Sequence, residues 1–200
     1  MAALRVQEGV SACALEFLVL TAARTGEAIG ATWPEIDLDA KVWTVPPVRM
    51  KGKREHKVPL PAAAIVVLER MRAFKMNRYV FPGDRENQPL SNMAMEMLLR
   101  RMNDANEAAG QPRWIDPKQG RDAVVHGFRS TFRDWAAEQT TFPSEIAEAA
   151  LAHAKGDKTE ASYQRGDFFD KRRKLMDAWA AYCTKPADAK IIRPQFRGRS

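Results

Sequence analysis

Residues 121–138 read Arg-Asp-Ala-Val-Val-His-Gly-Phe-Arg-Ser-Thr-Phe-Arg-Asp-Trp-Ala-Ala-Glu. Wound at 100° per residue, Phe128, Phe132, Trp135 and Ala136 fall on one apolar stripe and His126, Arg129, Ser130 and Arg133 gather opposite, which predicts an amphipathic helix. A core helix with a solvated back accounts for such a stripe, and for one His and two Arg it is the commoner explanation. The spacing adds a second reading. His126 and Arg129 stand three residues apart in the first turn, where backbone amides and the helix dipole favour an anion. A phosphate fits that position.

Upstream, Ser11 to Arg24 opens on a capping Ser and continues almost wholly apolar, which predicts a helix buried on most sides. Thr25-Gly26 breaks it, and Glu27 to Thr32 restarts it before Trp33-Pro34. Arg24 comes at the end of this helix, where its guanidinium needs acceptors. These are Glu27, a set of carbonyls, or a phosphate held bidentately. Residues 37–46 predict a turn feeding a strand, and Arg49 to Leu60 two more strands around Gly52, together a small antiparallel sheet. Its tip carries Lys51, Lys53, Arg54, His56 and Lys57; lysines on a strand edge commonly serve solubility. Pro61 to Phe74 is a helix by its Pro start and by Ile65, Leu68 and Met71. Tyr79-Val-Phe-Pro is a short extended link. Ser91 caps a Met-rich helix running to about Ala108, its methionines core filler, and Gly110 to Gly120 is a loop.

Downstream, Pro143 opens a helix that presents His153 at its C-terminal end, where a His commonly caps the last carbonyls. Lys155 to Thr159 leads into a short helix bearing Tyr163. Phe168, Leu175, Trp179 and Tyr182 form the stripe of a last helix whose other sides carry Lys171, Arg172, Arg173 and Lys174. Lys185 to Ser200, with Pro, Gly and five basic residues, predicts a mobile tail.

Two hundred residues with 45% apolar and 8% aromatic content suit one soluble domain. No apolar run is long enough to span a bilayer, and the start lacks a signal-peptide pattern, which predicts the cytosol. Cys13 and Cys183 are far apart in sequence and read as unpaired buried thiols. The net charge of +7 is local: residues 165–200 hold ten basic and four acidic residues, residues 49–57 five and one, and the remainder is negative. Segregated positive charge suits a nucleic acid. The chain has no internal repeat, no Gly-rich phosphate loop and no carboxylate cluster of the kind that holds Mg²⁺. Phosphoryl chemistry without metal requires fixed cations and donors instead.

Arg24, Lys51, His126-x-x-Arg129, His153 and Tyr163 resemble, in order and spacing, the active-site set of the tyrosine recombinases. The phage-type integrases of prophages and genomic islands match through Leu-Thr-Ala-Ala-Arg-Thr-Gly-Glu-Ala (20–28), His-Gly-Phe-Arg-Ser-Thr-Phe-Arg (126–133) and Ala-Leu-Ala-His (150–153). The likeness runs from about Leu15 to Cys183. It implies a mainly α fold with a small antiparallel β-sheet, a catalytic domain over residues 1–184 with a basic tail at 185–200, and N-terminal DNA-binding domains outside this sequence. It implies site-specific DNA recombination, integrating or excising a mobile element. Tyr163 is then the nucleophile, Arg24 and Arg129 the phosphate clamp, His126 the tyrosine's proton partner, His153 a phosphate donor and Lys51, rather than Lys53, the general acid. Lys53, Arg54, Arg133 and Arg165 are expected along the DNA. No metal and no cofactor is implied. The partners are double-stranded attachment sites and further copies of the chain, a tetramer on DNA and a monomer in isolation, with no membrane. Two other readings share the scaffold: a type IB topoisomerase, distinguished by relaxation without strand exchange, and a regulator that binds DNA without cutting, distinguished by having no use for a nucleophile.

Overall fold

The computed structural model describes residues 1–74, 76–117, 119–153 and 167–185. Tyr163, Arg165, the short helix expected around Tyr163 and the tail beyond Lys185 lie outside the described residues. Eight helices are described: α1 (Ala2–Arg5), α2 (Val10–Thr21), α3 (Thr25–Ile29), α4 (Ala62–Ala73), α5 (Ala94–Ala108), α6 (Gly127–Gln139), α7 (Ser144–Ala150) and α8 (Phe169–Thr184). A sheet of β1 (Ile36–Asp37), β2 (Val42–Val45) and β3 (His56–Pro59) is antiparallel in chain order, and β4 (Ile115–Asp116) pairs with β5 (Arg121–Asp122). The mainly helical fold with small antiparallel sheets is the one expected. No helix among the described residues is long and apolar enough to cross a membrane.

Helix α2 is the axis of the core. Every residue from Ala14 to Thr21 is buried, and α1, α3, α4, α5 and α8 pack around it. Phe17 stacks obliquely on Trp43 of β2 and on Phe81, with ring centroids 5.2 and 5.4 Å away; truncating such a side chain to Ala removes roughly 3–5 kcal/mol. On the far side, Trp179 of α8 meets Phe132 and Trp135 of α6 and donates its indole N–H to the Val19 carbonyl at 2.7 Å. Glu16 is buried within this helix, which it survives by accepting from Arg5 at 2.7 Å and Arg70 at 2.5 Å.

Several expectations give way. Gly9, not Ser11, precedes the first turn of α2, with φ 94°, a conformation that favours glycine. The helix ends at Ala22 in the left-handed region, φ 50°, so the break comes before Thr25-Gly26 and Arg24 opens α3 instead of closing α2. Residues 49–60 form one strand, not two. Pro46 and Pro47 lead into a 3-10 turn that takes in Arg49, and residues 51–54 are turn and bend. Lys51 and Lys53 therefore do not sit on a strand. Strand β3 pairs Trp43 with Val58 and Val45 with His56, which turns His56 and Val58 toward the core while Lys57 is exposed. The loop expected over Gly110 to Gly120 contains β4 and leads directly into β5. In α5, Met95 and Met102 are buried as core filler, but Met93 at its cap and Met97 are exposed, because only one face meets α2. Arg172 of α8 is buried with Leu175, Met176 and Trp179 instead of facing solvent with Lys171.

Candidate active site

The site forms where the α2–α3 junction, α6 and the end of α7 converge. The left-handed turn at Ala22 ends α2, leaving its buried carbonyl to accept from a side chain, and Arg24 follows in extended conformation as the residue before α3. Glu27 binds Arg24 twice: Oε2 accepts the Arg24 backbone N–H at 3.0 Å and Oε1 the guanidinium Nη1 at 2.6 Å. The sequence offered Glu27, carbonyls and phosphate as rival acceptors; Glu27 takes one side of the guanidinium and the Leu151 carbonyl accepts Nη2 at 3.4 Å.

Arg129 reaches the same place from α6. It is only 6% exposed and shares the inward face with Phe132 and Ala136, not the solvent face with Ser130 and Arg133. Its Nη1 donates to the Ala22 carbonyl at 2.6 Å and its Nη2 to the Leu151 carbonyl. Two guanidiniums from separate elements thus meet on one oxygen. Burial and the neighbouring Arg24 charge pull the Arg129 pKa down to about 10, against the attraction of Glu27 and Glu148. It remains a cation at neutral pH, and both of its partners are neutral carbonyls.

His153 follows Ala152, which is left-handed at φ 48° and turns the chain out of α7. Its Nδ1 lies 2.6 Å from Glu148 Oε2, so the ring is held by a carboxylate and does not cap the last carbonyls. The other oxygen, Glu148 Oε1, accepts Nε of Arg133 at 2.6 Å. The His153 ring is partly exposed.

His126 is exposed at the start of α6. The amides of Gly127, Phe128 and Arg129 bond to the carbonyls of Val124, Val125 and His126, at 2.9, 3.4 and 3.2 Å. The first turn thus has no free amides for an anion, and any anion there is met by side chains. Lys51, Lys53 and Arg54 are exposed in the β2–β3 connection. That connection is anchored at its root by Arg49, which donates to the Glu27 carbonyl at 3.1 Å and to Glu35 at 2.6 Å. The structure thus brings Arg24, Arg129 and His153 together, ties the Lys51 connection to Glu27, and leaves Lys51 exposed in the β2–β3 connection and His126 exposed at the start of α6.

Three residues beyond the expected set border the site. His56 lies with Nε2 3.2 Å from the Ala150 carbonyl, one residue before the carbonyl that both arginines use. Burial, then the charge of Arg172, push its pKa down to about 4; the Ala150 hydrogen bond and Glu27 oppose this, and Arg129 adds to it. Arg172 donates to the Lys57 carbonyl at 2.6 Å and to Asp167 at 2.7 Å, tying the start of α8 to β3. Glu148 is the third. The signals were present: His56 is two residues before buried Val58 on an alternating strand, and Arg172 sits three and seven residues before Leu175 and Trp179.

Comparison with known proteins adds three matches and a family. The model of the family described as "Phage integrase family" matches residues 1–168. Prophage integrase IntA of Escherichia coli strain K12 is 35% identical over 182 residues, covering 90% of this chain and 40% of that protein. The crystal structure of a lambda integrase(75-356) dimer bound to a COC' core site superposes with a TM-score of 0.55 at 19% identity, over 77% of this chain and 54% of the other. A lambda integrase tetramer bound to a Holliday junction gives 0.54 at 18% identity, over 78% and 44%. The chain spans about two fifths of the length of the curated relatives it matches.

Proposed function

The chain belongs to the phage integrase family, and from that premise we propose that it carries the DNA breaking and rejoining chemistry of a tyrosine site-specific recombinase. The observation that supports this best is the meeting of Arg24 and Arg129 on the Leu151 carbonyl, two residues before His153. A cluster of buried and half-buried guanidiniums on a neutral oxygen holds donors and charge ready for a phosphate.

In this reading residues 1–184 are the catalytic domain and residues 185–200 a basic tail. The phenol oxygen of Tyr163 bonds to the scissile phosphorus as the bond from phosphorus to the 5′-oxygen breaks. The phenol proton passes to His126, and Lys51 gives a proton to the departing 5′-oxygen. Arg24, Arg129 and His153 hold the non-bridging oxygens. The product is a 3′-phosphotyrosine and a free 5′-hydroxyl. A 5′-hydroxyl from a second duplex reverses the step, and the phosphodiester energy is retained throughout, so no cofactor is consumed. Lys53, Arg54, Arg133 and Arg165 contact the DNA backbone. The substrate is duplex DNA at attachment sites in the cytosol, and four copies assemble on it, as the lambda integrase does on a Holliday junction. Strand exchange between two sites separates this from relaxation of a single duplex.

The test is a nicked suicide substrate incubated with the chain in excess chelator. The expected result is DNA attached covalently at Tyr163, absent from Tyr163→Phe although that variant still binds DNA. An adduct persisting in Tyr163→Phe moves the nucleophile to Tyr79 or Tyr182, and loss of the adduct in chelator refutes the metal-independent chemistry.

A further inference from the structure

The carboxylate of Glu148 stands between two donors. Its Oε1 accepts from Arg133 Nε and its Oε2 faces His153 Nδ1, both at 2.6 Å. Arg133 lies one helical turn beyond Arg129 on α6, Glu148 lies on α7, and His153 lies just past its end, so one side chain joins three parts of the site. Nothing in the reaction described above uses it. We infer that Glu148 is a positioning residue, fixing the His153 ring by Nδ1 so that Nε2 is the atom presented to the scissile phosphate; this rests on the recombinase reading.

The donor and acceptor arithmetic supports that assignment. A guanidinium has no acceptor and no second protonation state near neutrality, so the oxygen facing Arg133 is committed as acceptor. The second oxygen of a carboxylate is likewise acceptor-only, so His153 must carry a proton on Nδ1. With that nitrogen occupied, Nε2 is the one ring atom free for the substrate, and its direction is set by the contact on the opposite side of the ring. A phosphate oxygen at Nε2 and a carboxylate at Nδ1 are both acceptors, so the ring that meets both is the imidazolium, with one N–H to each. Burial raises the Glu148 pKa, but the hydrogen bonds from Arg133 and His153 outweigh it and hold this carboxyl below the ordinary range, in its accepting form.

Glu148→Gln tests this without a change of shape. A glutamine has one acceptor and one donor end, and Arg133 can use only the acceptor. The amide N–H₂ then faces His153 Nδ1 and drives the ring proton to Nε2. The chain has three histidines, so ring ¹⁵N–¹H correlation spectra at alkaline pH resolve the tautomer of each, with His153→Gln identifying the signal. The wild type is expected to hold the proton on Nδ1, Glu148→Gln on Nε2, and Glu148→Gln combined with Arg133→Ala on Nδ1 again, because the amide oxygen is then released to the histidine. Cleavage of the suicide substrate by Glu148→Gln should slow by about 10–100-fold, the range for removing a residue that orients a functional histidine, with affinity for the duplex unchanged.

A tautomer that does not move in Glu148→Gln, whatever the rate, overturns the assignment. So does a moved tautomer with an unchanged rate. A wild-type chain with the Nδ1 proton in place that forms no adduct overturns the recombinase reading instead and leaves the contact between Glu148 and His153 standing.

Discussion

One residue, His56, should contribute measurably to acid destabilisation of this protein. His56 is turned inward on β3, its Nε2 against the Ala150 carbonyl, with Arg172 and Arg129 adding positive charge nearby. Protonating it in place puts a second donor and a cation where burial and two guanidiniums oppose them, which is why its pKa falls from 6.5 to about 4. The sign follows from counting protons. Below pH 6.5 the unfolded chain binds a proton on His56 and the folded chain does not, so stability is full above that value and is lost as pH falls toward about 4, below which both forms are protonated. At about 1.4 kcal/mol per pKa unit the loss amounts to about 3 kcal/mol, a large part of the 5–15 kcal/mol that typically holds a domain together. Other groups also titrate in this window, so the measurement is a difference. Denaturant unfolding of wild type and of His56→Gln should be followed at a series of pH values. Glutamine can donate to the Ala150 carbonyl and does not titrate. The wild type should lose about 3 kcal/mol more than the variant across the window. Parallel loss in the two proteins would refute the buried neutral histidine.

With Lys51 as the proposed general acid, Lys51→Ala should slow cleavage by ~10²–10⁴-fold with little change in binding, and a 5′-bridging sulfur, which leaves without a proton, should restore the rate; rescue of Lys53→Ala instead would transfer the role to Lys53. Arg24→Ala, which removes charge at the phosphate, should gain little from the same substrate. DNA affinity, measured by fluorescence anisotropy against salt, should fall steeply as salt rises, since the basic residues cluster in residues 49–57 and 165–200; salt-insensitive, sequence-selective binding would refute an electrostatic grip.

The elements that the sequence revealed well are those in which residue type and position agree. Pro61 and the spacing of Ile65, Leu68 and Met71 predict a helix over 61–74, and α4 spans Ala62–Ala73 with Leu68 and Met71 buried. Elements went astray where the two conflict. Arg129 is three residues before Phe132 and seven before Ala136, so the helical period puts it on their face and not, as the polar grouping with Ser130 and Arg133 expects, on the opposite one. The same holds for Arg172, three, four and seven residues before Leu175, Met176 and Trp179. Two strands are expected around Gly52, but Pro46 and Pro47 preset a turn and Lys53 adopts a φ of 50°. Tertiary acceptors decide such cases, and they are contributed by residues remote in sequence: the carbonyls of Ala22 and Leu151 for Arg129, that of Lys57 for Arg172.

Which arginines belong to chemistry and which to structure then follows from what they donate to. Arg113 is surrounded by Asp104, Glu107 and Asp122, which raise its pKa and leave it no positive charge to offer a ligand; Arg133 gives only its Nε to Glu148, and its side chain is otherwise exposed. Arg172 is as buried as Arg129, but Asp167 neutralises it. Arg129 alone among these donates to two carbonyls and to no carboxylate, and burial together with the adjacent Arg24 lowers its pKa. A cation held in place by dipoles keeps its full charge, and in the proposed reaction a phosphate bound by both guanidiniums would relieve the repulsion from Arg24 that, after burial, depresses its pKa. Glu27 offsets part of that repulsion, pairing with Arg24 Nη1 while Nη2 meets the Leu151 carbonyl. The arrangement therefore holds two like charges close together at a cost that a phosphate would repay, which is the property expected of a site built to stabilise a pentavalent phosphorane carrying more negative charge than the ground state.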